Sequence, residues 1–275
     1  MTGGALALAL GAAALHAGWN VLLAGSRDTA AATAGLLVFG AAFLAVPALL
    51  TGGVSAEAVP FIAASAALEL VYFVLLARAY AGGELSVVYP IARGSAPVVV
   101  LVFGAIALNE NVSAGAAVGV LAVAAGVLLV GLGAFRFRFA TESAQPTRDL
   151  RFGLAIGVVI ASYTLVDSEA MEHADPIAYL ALVVAPCAVL YPALTRTRPD
   201  LSSRTALTAA ATFGAFLMVL AAFRLAPAAP VAAVRETSIV IAALFAAVFL
   251  HEAVGVRRTA GALCVAAGVV AIVLG

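Results

Sequence analysis

The chain has 275 residues, 65% of them hydrophobic and 10% charged, with a mean hydropathy of +1.16. A soluble domain carries about 25% charged residues and must still wet a large surface, so most of this chain has lipid for its solvent. The formal net charge is +0 and all 14 basic residues are arginine, which leaves no bulk attraction for nucleic acid or another acidic partner.

A spanning helix needs about 20 apolar residues. Ten segments meet that requirement: 4–24, 30–51, 59–80, 85–108, 112–132, 152–168, 176–194, 205–224, 228–250 and 255–274. The first lacks the positive n-region of a signal peptide and is expected to be a retained helix. On it His16, Trp19 and Asn20 share a face at i, i+3 and i+4. Asn20 can hydrogen-bond, Trp19 can stack on a planar ligand, and His16 can either carry a proton or bond to a neighbouring helix. On the third segment Glu69 and Tyr72 share a face.

The fourth segment contains VVYPIARGSAP, Val87–Pro97. Tyr89 and Arg93 face one way at i and i+4. Pro97 removes the donor that the Arg93 carbonyl would use, so Gly94 and Pro97 are expected to disrupt the helix there, with the Ser95 hydroxyl at hand to compensate. The link FRFRFATESAQPTRDLR, 135–151, is polar and divides the apolar chain into two sets of five. The sixth segment is the shortest. It puts Tyr163 and Asp167 on one face, with Asp167 expected at the interface rather than buried. Cys187 and Cys264 fall in apolar runs and are expected to act as small hydrophobes, not as a disulfide or metal pair. The ninth segment is entered through Pro227 and Pro230 and carries Arg235, Glu236, Thr237 and Ser238.

Residues 93–127 and 235–269 align without gaps. Arg93 falls on Arg235, Leu108 on Leu250, Glu110 on Glu252, Gly119 on Gly261 and Gly126 on Gly268. This predicts two repeats, 1–134 and 152–275, joined by the 135–151 loop. Five helices is an odd number, so the second repeat must lie inverted, as in secondary transporters whose site is near the midplane. The expected fold is an all-α polytopic membrane protein of ten transmembrane helices. Glycine and alanine on the fourth, fifth, ninth and tenth segments, Gly126 and Gly268 among them, are expected to hold each repeat together.

LHAGWN at 15–20, VVYPIARGSAP at 87–97 and the tail AALFAAVFLHEAVGVRRTAGALCVAAGV resemble the EamA-type family of the drug/metabolite transporter superfamily. The resemblance covers nearly the whole chain. It implies a ten-helix secondary transporter, usually an exporter of small polar or amphipathic metabolites such as amino acids, whose central cavity opens alternately to each side.

Four charges lie deep in spans: Glu69, Arg93, Arg235 and Glu236. An intramembrane charge costs at least ~2.5 kcal/mol and usually faces a partner or a watery cavity. Structural ion pairing is one reading. The other is a substrate site made of His16, Trp19, Asn20, Glu69, Tyr72, Tyr89, Arg93, Ser95, Tyr163, Arg235, Glu236 and Ser238. In it the two arginines would stand one on each side of the midplane, balanced by Glu69 or Glu236 while the carrier is empty.

Glu69, His16 and Glu236 are the candidate groups for coupling to protons. No cofactor, metal site or catalytic residue is expected: HEAVG at 251–255 lacks the second histidine of a zinc-protease helix, and no phosphate loop is present. The rival classes are a membrane-embedded enzyme or lipid-handling protein, and a non-transporting membrane component. The expected setting is the inner (plasma) membrane, as a monomer or weak homodimer. Arg27, Arg78, Arg136, Arg138, Arg148, Arg151, Arg196, Arg198, Arg204, Arg257 and Arg258 lie at links on one face, and only Arg224 on the other. The positive-inside rule makes the arginine-rich face cytoplasmic and both termini extracytoplasmic, against the cytoplasmic termini usual for the superfamily.

Overall fold

The computed structural model describes residues 1–24, 26, 28–81, 85–138, 146–249 and 255–275. Among these the chain is helical, with one isolated β-bridge between Val54 and Ala174. The helices are α1 (Gly3–Ala24), α2 (Thr29–Leu50), α3 (Val59–Ala81), α4 (Leu85–Ala107), α5 (Ala114–Arg138), α6 (Pro146–Ala170), α7 (Pro176–Thr195), α8 (Ser203–Phe223), α9 (Ala228–Arg235), α10 (Thr237–Phe249) and α11 (Val256–Leu274). Eight of them are long and apolar enough to cross a membrane by themselves. The other two crossings are α1, which carries His16, Trp19 and Asn20, and the ninth segment, which is divided at Glu236 into α9 and α10. The protein is a multi-pass, all-α membrane protein.

Local chemistry sets the helix starts. The Asp28 carboxylate accepts from Ala31 N–H at 3.0 Å to cap α2, and Asp175 accepts from Ile177 N–H at 2.9 Å to cap α7, with Pro176 in its first turn. Ser202 caps α8 through Thr205 N–H at 3.3 Å.

Three expectations are corrected here. The sixth helix is not short: α6 runs over Pro146–Ala170 and α5 extends to Arg138, so the link is shorter than 135–151. Hydropathy ends where the chain leaves lipid, but arginine is a good helix former and carries the helix onward. The fourth helix is not broken: α4 continues through Pro90 and Pro97, with Ser95 Oγ donating to Ala92 O at 3.2 Å. The break lies instead in the ninth segment, where Glu236 N–H turns back to Ala233 O at 3.0 Å. Residues 139–145, Glu252 and most of HEAVG lie outside the described residues.

Packing is dominated by contacts between α1–α5 and α6–α11: α5 on α11, α4 on α6, α1 on α8, and α2 on α7. Exchanging the two sets maps the α1–α8 pair onto α3–α6 and α2–α8 onto α3–α7, and returns α2–α7 and α5–α11 to themselves. The α5–α11 seam is antiparallel and glycine-lined. A Cβ at Gly126 would come 2.7 Å from the Gly261 carbonyl oxygen, and one at Gly268 would come 2.7 Å from that of Gly119. Gly126 and Gly268 therefore hold the two sets to each other rather than each set to itself.

The links gather at two ends. Gly275 lies against Gly115, and Gly4 against Leu225, so both termini share one end with the α2–α3, α4–α5, α6–α7 and α8–α9 links. That end is tied by Asp175 N–H to Gly53 O at 3.1 Å, by Ser55 N–H to His173 O at 3.1 Å, and by Arg224 to Ala174 O at 2.7 Å. The Glu110 carboxylate accepts from Ala228 N–H at 2.9 Å and so caps α9, whose own N-cap, Pro227, has no side-chain donor or acceptor. At the opposite, arginine-rich end, Asp200 N–H donates to Ala31 O at 2.9 Å and Arg204 to Leu22 O at 2.8 Å.

Candidate functional site

The polar side chains of α1, α4 and α9–α10 converge at the centre of the bundle. Arg93 is 1% exposed and Glu236 0%. Arg93 Nε lies 2.8 Å from Glu236 Oε2, and the guanidinium also donates to Ser238 Oγ at 3.4 Å. Arg235 Nε is 3.8 Å from the other oxygen of Glu236, too far for a hydrogen bond. The two arginines thus meet over one carboxylate. The expected balancing acid is Glu236; Glu69 makes no ion pair among the described residues. At the break, Glu236 meets Arg93 of α4 from the end of a short helix, while Arg235 lines the neighbouring space.

Tyr89 lies beneath Arg93, with the guanidinium carbon 5.9 Å from the ring centroid, and its hydroxyl donates to Asn20 Oδ1 at 3.3 Å. Asn20 donates in turn to His16 O at 2.7 Å. Trp19 Nε1–H donates to His16 Nδ1 at 3.1 Å, and the two rings meet edge to face. Tyr72 and Tyr163 stand edge to face with centroids 5.9 Å apart.

A narrow chamber lies between α1, α2, α3, α6, α8 and α9. Its lining includes His16, Trp19, Tyr72, Tyr163, Phe216 and Arg235. Ten of the twelve expected residues join this chamber or the Arg93–Glu236 cluster. Glu69 stands apart, lining a small neighbouring cavity with Phe73, Cys187 and Phe216. Ser95 stands apart as well: it faces Gly157 in the α4–α6 seam.

Asp167 was expected at the interface, yet it is only 5% exposed. It accepts from Ser65 Oγ at 2.6 Å and from Tyr179 Oη at 2.7 Å, both on Oδ1. The sequence carried a partial signal: Ser65 lies one turn before Glu69 and faces the same way. Tyr179, from α7, could not be paired with them by spacing. The threonines of the chamber, Thr33 and Thr212, carried no signal that set them apart from other helical threonines.

Crossing helices in two interlocked sets around a narrow, largely apolar chamber define a polytopic membrane protein. Residues 150–274 match the model of the EamA-like transporter family, part of the drug/metabolite transporter superfamily. Among solved structures, 24 chains match. One, described only as a crystal structure of a protein, aligns over 100% of this chain and 98% of its own with a TM-score of 0.80 and 14% identity, a likeness of fold. No curated protein matches the sequence.

Proposed function

We propose that the protein is a secondary transporter that carries a small polar or amphipathic metabolite through the central chamber by alternating access, in the direction of export, across the inner (plasma) membrane. The observation that carries this reading is a chamber lined by buried, unsatisfied polar groups at the interface of two helix sets. Arg235 Nε and His16 Nε2 are both buried without a hydrogen-bond partner. Such groups are costly in lipid unless they serve a ligand or a second state.

The family match supports transport, and the exchange symmetry of the helix pairs supports two inverted repeats, 1–134 and 152–275, that rock against each other. In the state described, the chamber residues lie toward the arginine-rich end, whereas the opposite end is tied by Glu110, Arg224 and the Val54–Ala174 bridge. Opening that end requires release of the Ala228 N–H from Glu110. Glu69, with one buried unpartnered oxygen, and Asp167 beyond it are the groups through which proton movement would couple to the cycle.

The test is reconstitution into liposomes and flux of a radiolabelled panel of amino acids, organic acids, amines and nucleobases, with a pH dye in the lumen. Movement of a chemically unchanged solute supports the reading. Chemical conversion without movement, or no flux in any member of the panel, overturns it.

A further inference from the structure

We infer that the chamber receives a monocarboxylate with a flat, apolar body, its anionic end held by Arg235 and the Nε2–H of His16. This rests on the proposed transport reading and names the ligand class for it.

Three observations lead there. The first is the protonation pattern of His16. Trp19 Nε1 can only donate, so the His16 Nδ1 that it meets at 3.1 Å must be an acceptor. The neutral ring then carries its proton on Nε2, which is buried and has no partner. The second is the inventory of free groups. Arg235 lines the chamber with Nε unpartnered, while Thr33 and Thr212 direct their hydroxyl protons to Thr29 O and Thr208 O at 2.7 and 2.8 Å. No carboxylate lines the chamber. The unpartnered atoms left facing it, Arg235 Nε and His16 Nε2, are donors, and buried donors call for an acceptor, best an anion. The third is local charge. Two guanidiniums, Arg93 and Arg235, share the one carboxylate of Glu236, and the shorter contact goes to Arg93. Glu69 faces the adjoining cavity and Asp167 is engaged by Ser65 and Tyr179; neither makes an ion pair with Arg235 among the described residues. A bound carboxylate would complete the match, with the planar fork of Arg235 reading it through paired bonds. The remaining wall is aromatic: Trp19, Tyr72, Phe73, Tyr163 and Phe216. Those faces suit a flat apolar body.

The chain's single tryptophan is Trp19, so its fluorescence reports occupancy directly. Purified protein, excited at the red edge of tryptophan absorption, is titrated with 3-phenylpropionate, its neutral amide, the corresponding amine, and acetate. A saturable change is expected with 3-phenylpropionate, with the amide and amine weaker by about tenfold or more, as for loss of a charged hydrogen bond. Acetate, lacking the body, should be weaker too. Arg235→Gln should abolish the preference for acid over amide. Arg235→Lys keeps the charge and the fold but loses the paired bonds, and should fall between.

Equal binding of acid and amide by the parent protein, or an acid preference that survives in Arg235→Gln, overturns the inference. Liposome flux separates it from the transport reading. Arg235-dependent binding with no flux of 3-phenylpropionate or any panel solute removes transport and leaves the anion site. Flux of amines or neutral solutes that is indifferent to Arg235→Gln leaves transport and removes the anion site.

Discussion

At the scale of residues, the central ion pair sets clear expectations. Removing one member of a buried pair costs about 3–5 kcal/mol, because it strands the other charge. Arg93→Ala should therefore lower the thermal midpoint of the detergent-solubilised protein, and Glu236→Gln should lower it further, since it strands both Arg93 and Arg235. The Arg93→Gln/Glu236→Gln double variant should recover part of the loss of Glu236→Gln alone; strict additivity would mean that the pair does not interact. Asp167 gives a contrasting case. Both of its donors meet a single oxygen, so Asp167→Asn can keep them on its carbonyl and should be nearly neutral in stability. Asp167→Ala strands two buried hydroxyls and should cost about 1–3 kcal/mol for the unsatisfied groups. A stable Asp167→Asn protein whose flux no longer acidifies the lumen would mark Asp167 as the proton carrier; unchanged acidification would exclude it.

At the scale of elements, the α5–α11 seam decides whether the two sets can meet. A Cβ at Gly126 or Gly268 would collide with backbone of the opposite helix, which cannot rotate away as a side chain can. Gly126→Ala should already reduce the monodisperse fraction on size exclusion, and Gly126→Leu or Gly268→Leu should abolish it. Gly18, also within a helix, has nothing within 4 Å of its would-be Cβ. Gly18→Ala should be neutral or stabilising by about 0.5–1 kcal/mol, from propensity alone. Equal tolerance at Gly18 and Gly126 would refute the close-packing account. The cap on α9 is a second element-level device. Glu110→Ala should loosen the end near the termini by uncapping Ala228 N–H, read as faster modification of a cysteine placed at Ala226; an unchanged rate would show that Glu110 does not hold this end closed.

At the scale of the whole molecule, the parity of ten crossings fixes which links share an end. Both termini lie at the end tied by Glu110 and Arg224, opposite Arg204. If the positive-inside rule governs insertion, the arginine-rich end is cytoplasmic and a C-terminal fluorescent fusion that matures only in the cytoplasm stays dark. A bright fusion would reverse the orientation and, with it, the side toward which the chamber lies.

The sequence by itself determined the solvent, the number of crossings and most of their limits, because the hydrocarbon thickness imposes a length that local composition either meets or does not. It also placed His16, Trp19, Asn20, Tyr89, Arg93, Arg235 and Glu236 on helix faces, since a period of 3.6 residues is a local property. Which faces meet was decided by tertiary packing. Glu236 rather than Glu69 became the partner of Arg93, Asp167 was buried by Ser65 from α3 and Tyr179 from α7, and Gly126 met Gly261 across the two sets instead of a neighbour within its own. None of these is a relation between near residues in the chain. Each depends on how rigid helices with fixed small and large side chains interlock, and close-packed helices admit a partner only where both surfaces fit.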